Sequence, residues 1–268
     1  MSAAEKKSTP NSNQSTEKAM ALLELLAQSR TPMRLRDISD ALGLNPSTAL
    51  RFLTALQQCG YVSQEETSQR YQLTYKLCYL ANQLTSHVEL PTVTHPYLVS
   101  LAEQLHEAVC ISVEREMTMV YIDVAAGPNQ TLMSLQRIGN TSPMHCTGNG
   151  KLRLLTYSEE DLDRLIRVKG LFRMTPNTIT TKERLLRELE QIRREDVAYD
   201  NEECEQGVRC MACPIRDYTG TIVAGISVTG PASRMTDEAV HRFLGRLRQT
   251  AAAISATLGY QGTPPVGV

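Results

Sequence analysis

Residues 34–62 read RLRDISDALGLNPSTALRFLTALQQCGYV, and this stretch decides the N-terminal fold. Leu35, Ile38, Ala41 and Leu42 recur at helical spacing, which predicts a short helix with those side chains inward. Gly43 is placed to end it as a left-handed cap. Asn45 then stands at an N-cap, with Pro46 at the first helical position, where a missing N–H costs nothing. Ala49, Leu50, Leu53 and Leu56 are the expected buried stripe of the second helix, and Gly60 stops it. Two short helices joined by a tight turn make a helix-turn-helix. Upstream, Ala19, Leu22, Leu23, Leu25 and Leu26 predict a preceding helix, set apart by Pro32. Downstream, Tyr61-Val62 and Arg70–Leu73 flank a polar tip and predict a hairpin. A helix-turn-helix followed by a hairpin is a winged helix.

A winged helix binds DNA by seating its second turn-flanking helix in the major groove. Ser47 and Thr48, with Asn45 at the cap, are placed to give hydroxyl and N–H groups to phosphate. Arg51 follows one turn later, where a side chain reaches a base edge. Arg34 and Arg36 are placed to grip the backbone, and Arg70 in the wing to reach a phosphate or the minor groove. Each arginine taken alone reads as surface decoration more readily than as a contact. Between residues 30 and 76 there are six basic residues (Arg30, Arg34, Arg36, Arg51, Arg70, Lys76) against four acids (Asp37, Asp40, Glu65, Glu66), so charge is a mild signal. The order of turn, cap, arginine and hairpin carries the DNA reading; a winged helix used only for protein contacts is the alternative.

The whole chain sets bounds. Its 268 residues suffice for two domains, and 41% hydrophobic with 21% charged residues is globular composition. A net charge of −1 advertises no nucleic acid globally, so a basic surface must be local. No apolar run reaches the roughly 18–20 residues of a membrane helix. The first residues lack an apolar signal core. Seven cysteines, an odd number without an export signal, point to reduced thiols in a cytoplasm.

The expected organisation is a disordered arm over 1–15, a winged helix over 16–73, a linker helix over 74–95, a larger domain over 96–260 and a flexible tail over 261–268. In the linker, Leu77, Leu80, Ala81 and Leu84 repeat until Pro91 and Pro96 break the helix. The larger domain opens with a helix around Pro96–Ala108. Strands are expected at Val109–Glu114, Met119–Val124, Thr131–Arg137, Val208–Ile215 and Thr221–Thr229. Helices start near Asn149, at Thr180–Glu183 with a capping-box pattern, and at Thr236. The second carries Leu185, Leu186, Leu189 and Ile192 inward. The class is α+β with an antiparallel sheet.

The stretch 34–62, continued by RYQLTYKL (70–77), resembles the N-terminal domain of the IclR family of bacterial transcription regulators. SPMHCTGNGK (142–151), DNEECEQGVRCMACPI (200–215) and AGISVTGP (224–231) resemble that family's GAF-like effector-binding domain. The resemblance implies a winged helix-turn-helix, mostly α with a β-hairpin wing, a linker helix, and a C-terminal α+β GAF/profilin-like domain. It implies a repressor rather than an activator, working as a homodimer or a dimer of dimers on palindromic double-stranded DNA. It also implies an effector, a small organic acid, surrounded by Met144, Gly148, Asn149, Asp200, Val208, Cys210, Ser227 and Thr229. The chain departs from the family's common pattern at three places. Asn149 stands where Ala is frequent, Thr229 where Ser is frequent, and Asp196 where a helix often ends in Gly.

The residues themselves bear on that site. Thr147-Gly148-Asn149-Gly150 precedes a helix, and glycines there admit a ligand close to backbone N–H groups; a Gly-rich turn with no ligand reads equally well. Ile222, Ala224, Ile226 and Val228 alternate as a core face, leaving Ser227 and Thr229 opposite, either exposed or lining a pocket. Asp200 suits a ligand hydroxyl or amine, or a turn. Cys210 and Cys213 have metal-like spacing, but on a strand residues three apart point to opposite faces. A metal- or redox-sensing regulator using Cys146, Cys210 and Cys213 is therefore the minority reading, and buried thiols the favoured one. Glu202, Glu203 and Glu205 read as a solvated loop. The chain lacks the G-x-S-x-G, Walker, H-E-x-x-H and Rossmann patterns, so no catalytic residue, metal or cofactor is assigned. An enzyme with an accessory winged helix is the remaining alternative.

Overall fold

The computed structural model describes residues 13–29, 31–87, 90–128 and 137–262. They fall into two compact units, divided between residues 88 and 89.

The first unit comprises α1 (Gln14–Gln28), α2 (Leu35–Leu42), α3 (Pro46–Gln58), a hairpin of β1 (Val62–Gln64) and β2 (Tyr71–Leu73), and α4 (Lys76–His87). α1 starts inside the stretch expected as an arm, with the Asn13 side chain accepting from Ser15 and Thr16 N–H. Gly43 closes α2 at φ +61°, a conformation that favours glycine. Leu22, Leu26, Ile38, Phe52, Leu53, Val62 and Tyr71 form the core. Two expected inward positions face out: Leu50 is 42% exposed and Ala41 is exposed. The buried face of α3 is the set 49, 52, 53 and 56, the i, i+3, i+4, i+7 pattern, so Phe52 takes the place assigned to Leu50. A backbone bridge between Met33 and Tyr71 fastens the wing to the segment before α2. Lys76 Nζ donates to the Cys59 carbonyl at 2.6 Å and sits 4.7 Å from the Tyr61 ring centroid, closing the end of α3.

The second unit contains α5 (Leu90–Leu105), β3 (Ala108–Arg115), β4 (Thr118–Ala125), β5 (Thr141–Ser142), α6 (Gly148–Leu154), α7 (Glu159–Lys169), α8 (Lys182–Glu195), β6 (Ala198–Asn201), β7 (Val208–Arg216), β8 (Ile222–Pro231) and α9 (Asp237–Thr257). The strands form an antiparallel sheet in the order β5-β4-β3-β8-β7-β6. One face buries Val109, Ile111, Met211, Cys213, Ile226 and Val228 under α5 and α9. The other packs Ala198 and Ala212 against Leu152, Leu185 and Leu189 from α6 and α8. Alternation along each strand assigns side chains to these two layers.

Several expectations are corrected. Pro96 does not end a helix; it lies inside α5, and Ala108 begins β3. Pro96 and Thr92, whose carbonyl loses its partner, are both exposed, so water can replace the bond, while Leu98, Leu101 and Leu105 hold the opposite face. α8 is capped by Thr181, whose side chain accepts from Arg184 N–H, so no box with Glu183 forms. Leu186 is 43% exposed rather than inward. The reciprocal capping box belongs to α7, between Ser158 and Asp161, a helix the periodicity reading did not place. The strand expected at Thr131–Arg137 falls, through residue 136, outside the described residues, as do residues 1–12 of the arm and 263–268 of the tail.

Candidate functional site

The residues expected to contact DNA lie on or just before α2, on or just before α3, and beside the wing. Ser47, Leu50, Arg51 and Thr54 are exposed together on α3. Arg51 points away from the core, with its guanidinium carbon 5.7 Å from the Phe52 ring centroid. Asn45 occupies the N-cap without a side-chain cap bond, so its amide is available. The Thr48 N–H is taken by the Asn45 carbonyl at 2.9 Å, so Thr48 offers its hydroxyl rather than its backbone. Arg34 is the exposed N-cap of α2, and Arg36 stands 3.9 Å from Asp40 with both side chains largely in solvent. Arg70 is half-buried, and its Nη1 donates to the Pro32 carbonyl at 3.0 Å. That arginine ties the wing to the turn before α2 and keeps only part of its fork free.

The second site lies where α6 crosses the sheet. Gly148 and Gly150 owe their identity to packing. A Cβ on Gly148 would stand 2.9 Å from Ala212 Cβ, and one on Gly150 would stand 2.4 Å from the Met144 backbone. Close approach of α6 to β7, rather than ligand access alone, demands small residues there. Asn149 is buried and its amide nitrogen donates to Ser112 Oγ at 2.9 Å and Ser227 Oγ at 3.2 Å. Ser227 Oγ in turn lies 3.0 Å from Cys110 Sγ. Asp200, Cys210 and Thr229 are successive register partners across β6, β7 and β8. Asn149 Oδ1 and Thr229 Oγ1 are buried without a hydrogen-bond partner of good geometry. A buried polar atom without a partner costs about 1–3 kcal/mol, which a ligand can recover. Val208 is half-buried at the start of β7, opposite Pro231. Met144 is a core residue whose sulfur accepts from the Tyr157 hydroxyl at 3.8 Å.

Asp200 Oδ1 accepts from Glu203 N–H at 2.7 Å and Cys204 N–H at 3.3 Å, so the buried aspartate shapes the turn after β6. Burial pushes its pKa from 3.8 up to about 7, with the Glu203 carboxylate adding to the rise and Lys151 opposing it. The native state thus holds a proton that the unfolded chain gives up from about pH 4 upward. Stability therefore falls as pH rises between those values. Asp200→Asn should melt close to wild type at pH 4 and above it at pH 8; a constant difference in melting temperature would contradict the assignment.

The sequence points to Asn149 and Ser227 but not to their partners Ser112 and Cys110. The glutamate cluster is not a solvated loop: Glu203 is buried and its Oε1 accepts from Lys151 Nζ at 2.7 Å. Lys151 is fully buried and also donates to Glu188 Oε1 at 2.8 Å. Burial pulls the lysine down, but the two carboxylates overcome it and keep it charged. Glu203 Oε2 remains buried and unpartnered. The signal was a lysine one residue after Gly-Asn-Gly on a helix facing apolar neighbours, which requires a carboxylate somewhere.

Cys213 packs in the α5/α9 layer, whereas Cys210 faces α6, so Cys146, Cys210 and Cys213 are not brought together. Among the described residues no group of three His, Cys, Asp or Glu side chains is placed to hold a metal ion. Burial raises the Cys110 thiol to about 12 and raises Cys146 and Cys210 as well, which suppresses the thiolate. For Cys146, the neighbouring Cys204 thiol contributes more than burial. No helix of the described residues is long and apolar enough to cross a membrane.

Close packing gives a direct check. A Cβ on Gly225 would sit 2.4 Å from Asn149 Oδ1. Gly225→Ala is expected to lose about 1–3 kcal/mol through overpacking. Adding Asn149→Ala should return most of it. Urea unfolding of the single and double variants measures this, and equal stabilities of the two would refute the contact.

A winged helix in one unit and an α+β unit with a buried polar layer together define a DNA-binding transcription regulator. Two family descriptions match: the IclR helix-turn-helix domain over residues 15–66 and the bacterial transcriptional regulator IclR C-terminal domain over residues 82–256. The chain belongs to the IclR family of bacterial transcriptional regulators. It is 32% identical over 251 residues to the transcriptional repressor IclR of Escherichia coli strain K12, covering 93% of this chain and 90% of that one. It is similar to the crystal structure of the Thermotoga maritima IclR, with a TM-score of 0.61 at 30% identity over 91% of this chain and 98% of that one. The second unit is similar to the inducer-binding domain of a double mutant of the PobR transcription factor from Acinetobacter, solved with 3-hydroxybenzoic acid. That TM-score is 0.59 at 28% identity, over 63% of this chain and 98% of that domain.

Proposed function

We propose that this protein is a cytoplasmic, sequence-specific repressor whose hold on a palindromic operator is controlled by a small, carboxylate-bearing metabolite bound between α6 and the sheet. The carrying observation is the layer Ser112–Asn149–Ser227–Cys110, with Asn149 Oδ1 and Thr229 Oγ1 left unpartnered beside it. Polar groups buried on an otherwise apolar sheet face are retained at binding sites more readily than in cores. Met144 and Val208 supply apolar contact, Asp200 and Cys210 a polar rim, and the N–H groups opening α6 a place for the carboxylate. The repressor sign follows the relative of that name, and an organic acid follows the ligand of the PobR domain.

On the DNA side, Arg51 reads a base edge, and Leu50 beside it suits a thymine methyl group. Ser47, Thr48, Asn45, Arg34 and Arg36 hold phosphates, while Arg70 positions the wing and offers the rest of its fork. A homodimer or dimer of dimers would present two such helices to two half-sites, which makes the operator palindromic. The effector acts by binding one arrangement of the assembly better than another. No catalytic role is assigned to any residue.

The test uses a thermal-shift screen of small organic acids. An acid that stabilises the full chain should also release it from operator DNA. Ser227→Ala should lose that release at least tenfold while ligand-free DNA affinity stays within twofold. Release unchanged in Ser227→Ala would overturn the placement of the ligand.

A further inference from the structure

On the sheet face opposite Asn149, a cleft of about 400 Å³ opens between the end of β7, the second half of α9 and the chain after it. That volume falls within the range of small-molecule sites, roughly 300–1,000 Å³. Its walls combine two kinds of surface. Ala251, Ala252 and the Tyr260 ring are apolar, and Cys213, 1% exposed, is at its floor.

The polar side is unevenly balanced. Arg216 is committed to Asp196, with a two-pronged pair at 2.9 and 2.7 Å, and its guanidinium carbon lies 5.9 Å from the Tyr260 centroid. Arg248 has only the Glu195 carbonyl, at 2.7 Å, and no carboxylate partner among the described residues. The cleft therefore carries one positive charge in excess. That charge is felt at the floor: burial raises the Cys213 thiol to about 12, and Arg248 is the first group opposing the rise.

We propose that this cleft is a second ligand site, for a small organic anion with a flat apolar body, of the aromatic carboxylate class. The carboxylate would pair with Arg248, whose planar fork matches it in two-pronged geometry. The ring would lie along Ala252 against Tyr260. A sulfate-sized inorganic anion would gain the charge and leave the apolar wall wet. The site stands on its own residues and does not depend on the effector pocket across the sheet: Cys213 and Arg248 belong to one layer, Asn149 and Ser227 to the other.

The probe is 4-fluorobenzoate, followed by its fluorine NMR line width against the full chain. Wild type and Ser227→Ala should bind alike. Arg248→Glu, which reverses the free charge, and Ala252→Phe, which fills the wall, should each weaken binding at least tenfold. Arg248→Lys should keep most of it. Arg248 and Ala252 are both exposed on α9, so these variants should fold, which circular dichroism checks. Absence of binding to wild type, loss in Ser227→Ala, or affinities within twofold of wild type in both cleft variants would overturn the proposal.

Discussion

Arg51→Ala is expected to lose sequence-specific DNA binding and to leave the fold unchanged. Arg51 is exposed on α3 and has no ion pair among the described residues, so its removal takes nothing from the core. A two-pronged arginine–guanine contact contributes about 1–3 kcal/mol of discrimination. In a dimer on a palindrome two copies would double that to about 2–6 kcal/mol, so specific affinity should fall by about 1.5 to 4 orders of magnitude. Non-specific affinity, which depends on phosphate contacts, should change little. Fluorescence anisotropy with operator and scrambled duplexes separates the two. Arg34→Ala and Arg36→Ala should instead weaken both duplexes alike and flatten the salt dependence. Equal loss on both duplexes for Arg51→Ala would move it into the phosphate-holding group.

The largest stability effect is expected at Lys151. Its ammonium is fully buried between Glu203 and Glu188, and Glu203 is itself buried. Removing one partner of a buried pair leaves an uncompensated charge and costs about 3–5 kcal/mol. Lys151→Met should therefore lose about that much in urea unfolding. Lys151→Met with Glu203→Gln should recover part of it, because the double variant no longer buries a lone carboxylate. The same loop is tied down further: Glu203 N–H donates to Asp200, the Thr175 hydroxyl donates to the Glu202 carbonyl, and the Thr178 hydroxyl to the Glu203 carbonyl. A loss below about 1 kcal/mol in the single variant would mean that water reaches these groups, contrary to their burial.

The parts of the fold legible in sequence are those set by local chemistry. Gly43 past α2, Pro46 opening α3 and Thr236 capping α9 are short-range signals, and each marks an element end in the structure. The alternation on β8 placed Ser227 and Thr229 on one face, because side-chain period depends only on the strand itself, and the structure buries that face. Phe52 rather than Leu50 is buried because it completes the i, i+3, i+4, i+7 stripe with Ala49, Leu53 and Leu56, a pattern the sequence does contain. What else failed depended on neighbours elsewhere in the chain. Pro96 sits in a helix because tertiary packing of α5 outweighs the lost bond. Glu203 looked solvated because its partner Lys151 lies 52 residues away in sequence. Ser112 and Cys110 join the polar layer only through the pairing of β3 with β8. The glycines of the α6 start misled in the other direction. Their identity is explained by contact with β7 and Met144, so the polar layer around Asn149, not the glycine pattern, carries the ligand reading.

The most direct measurement is selection of random double-stranded DNA by the full chain, followed by sequencing. The account predicts enrichment of an inverted repeat whose half-sites are about one or more helical turns apart. The same selection with Arg51→Ala should return no enriched repeat. Enrichment of the same sequence by Arg51→Ala, or no enriched sequence with the unaltered chain, would contradict the assignment of α3 as the element that reads the operator.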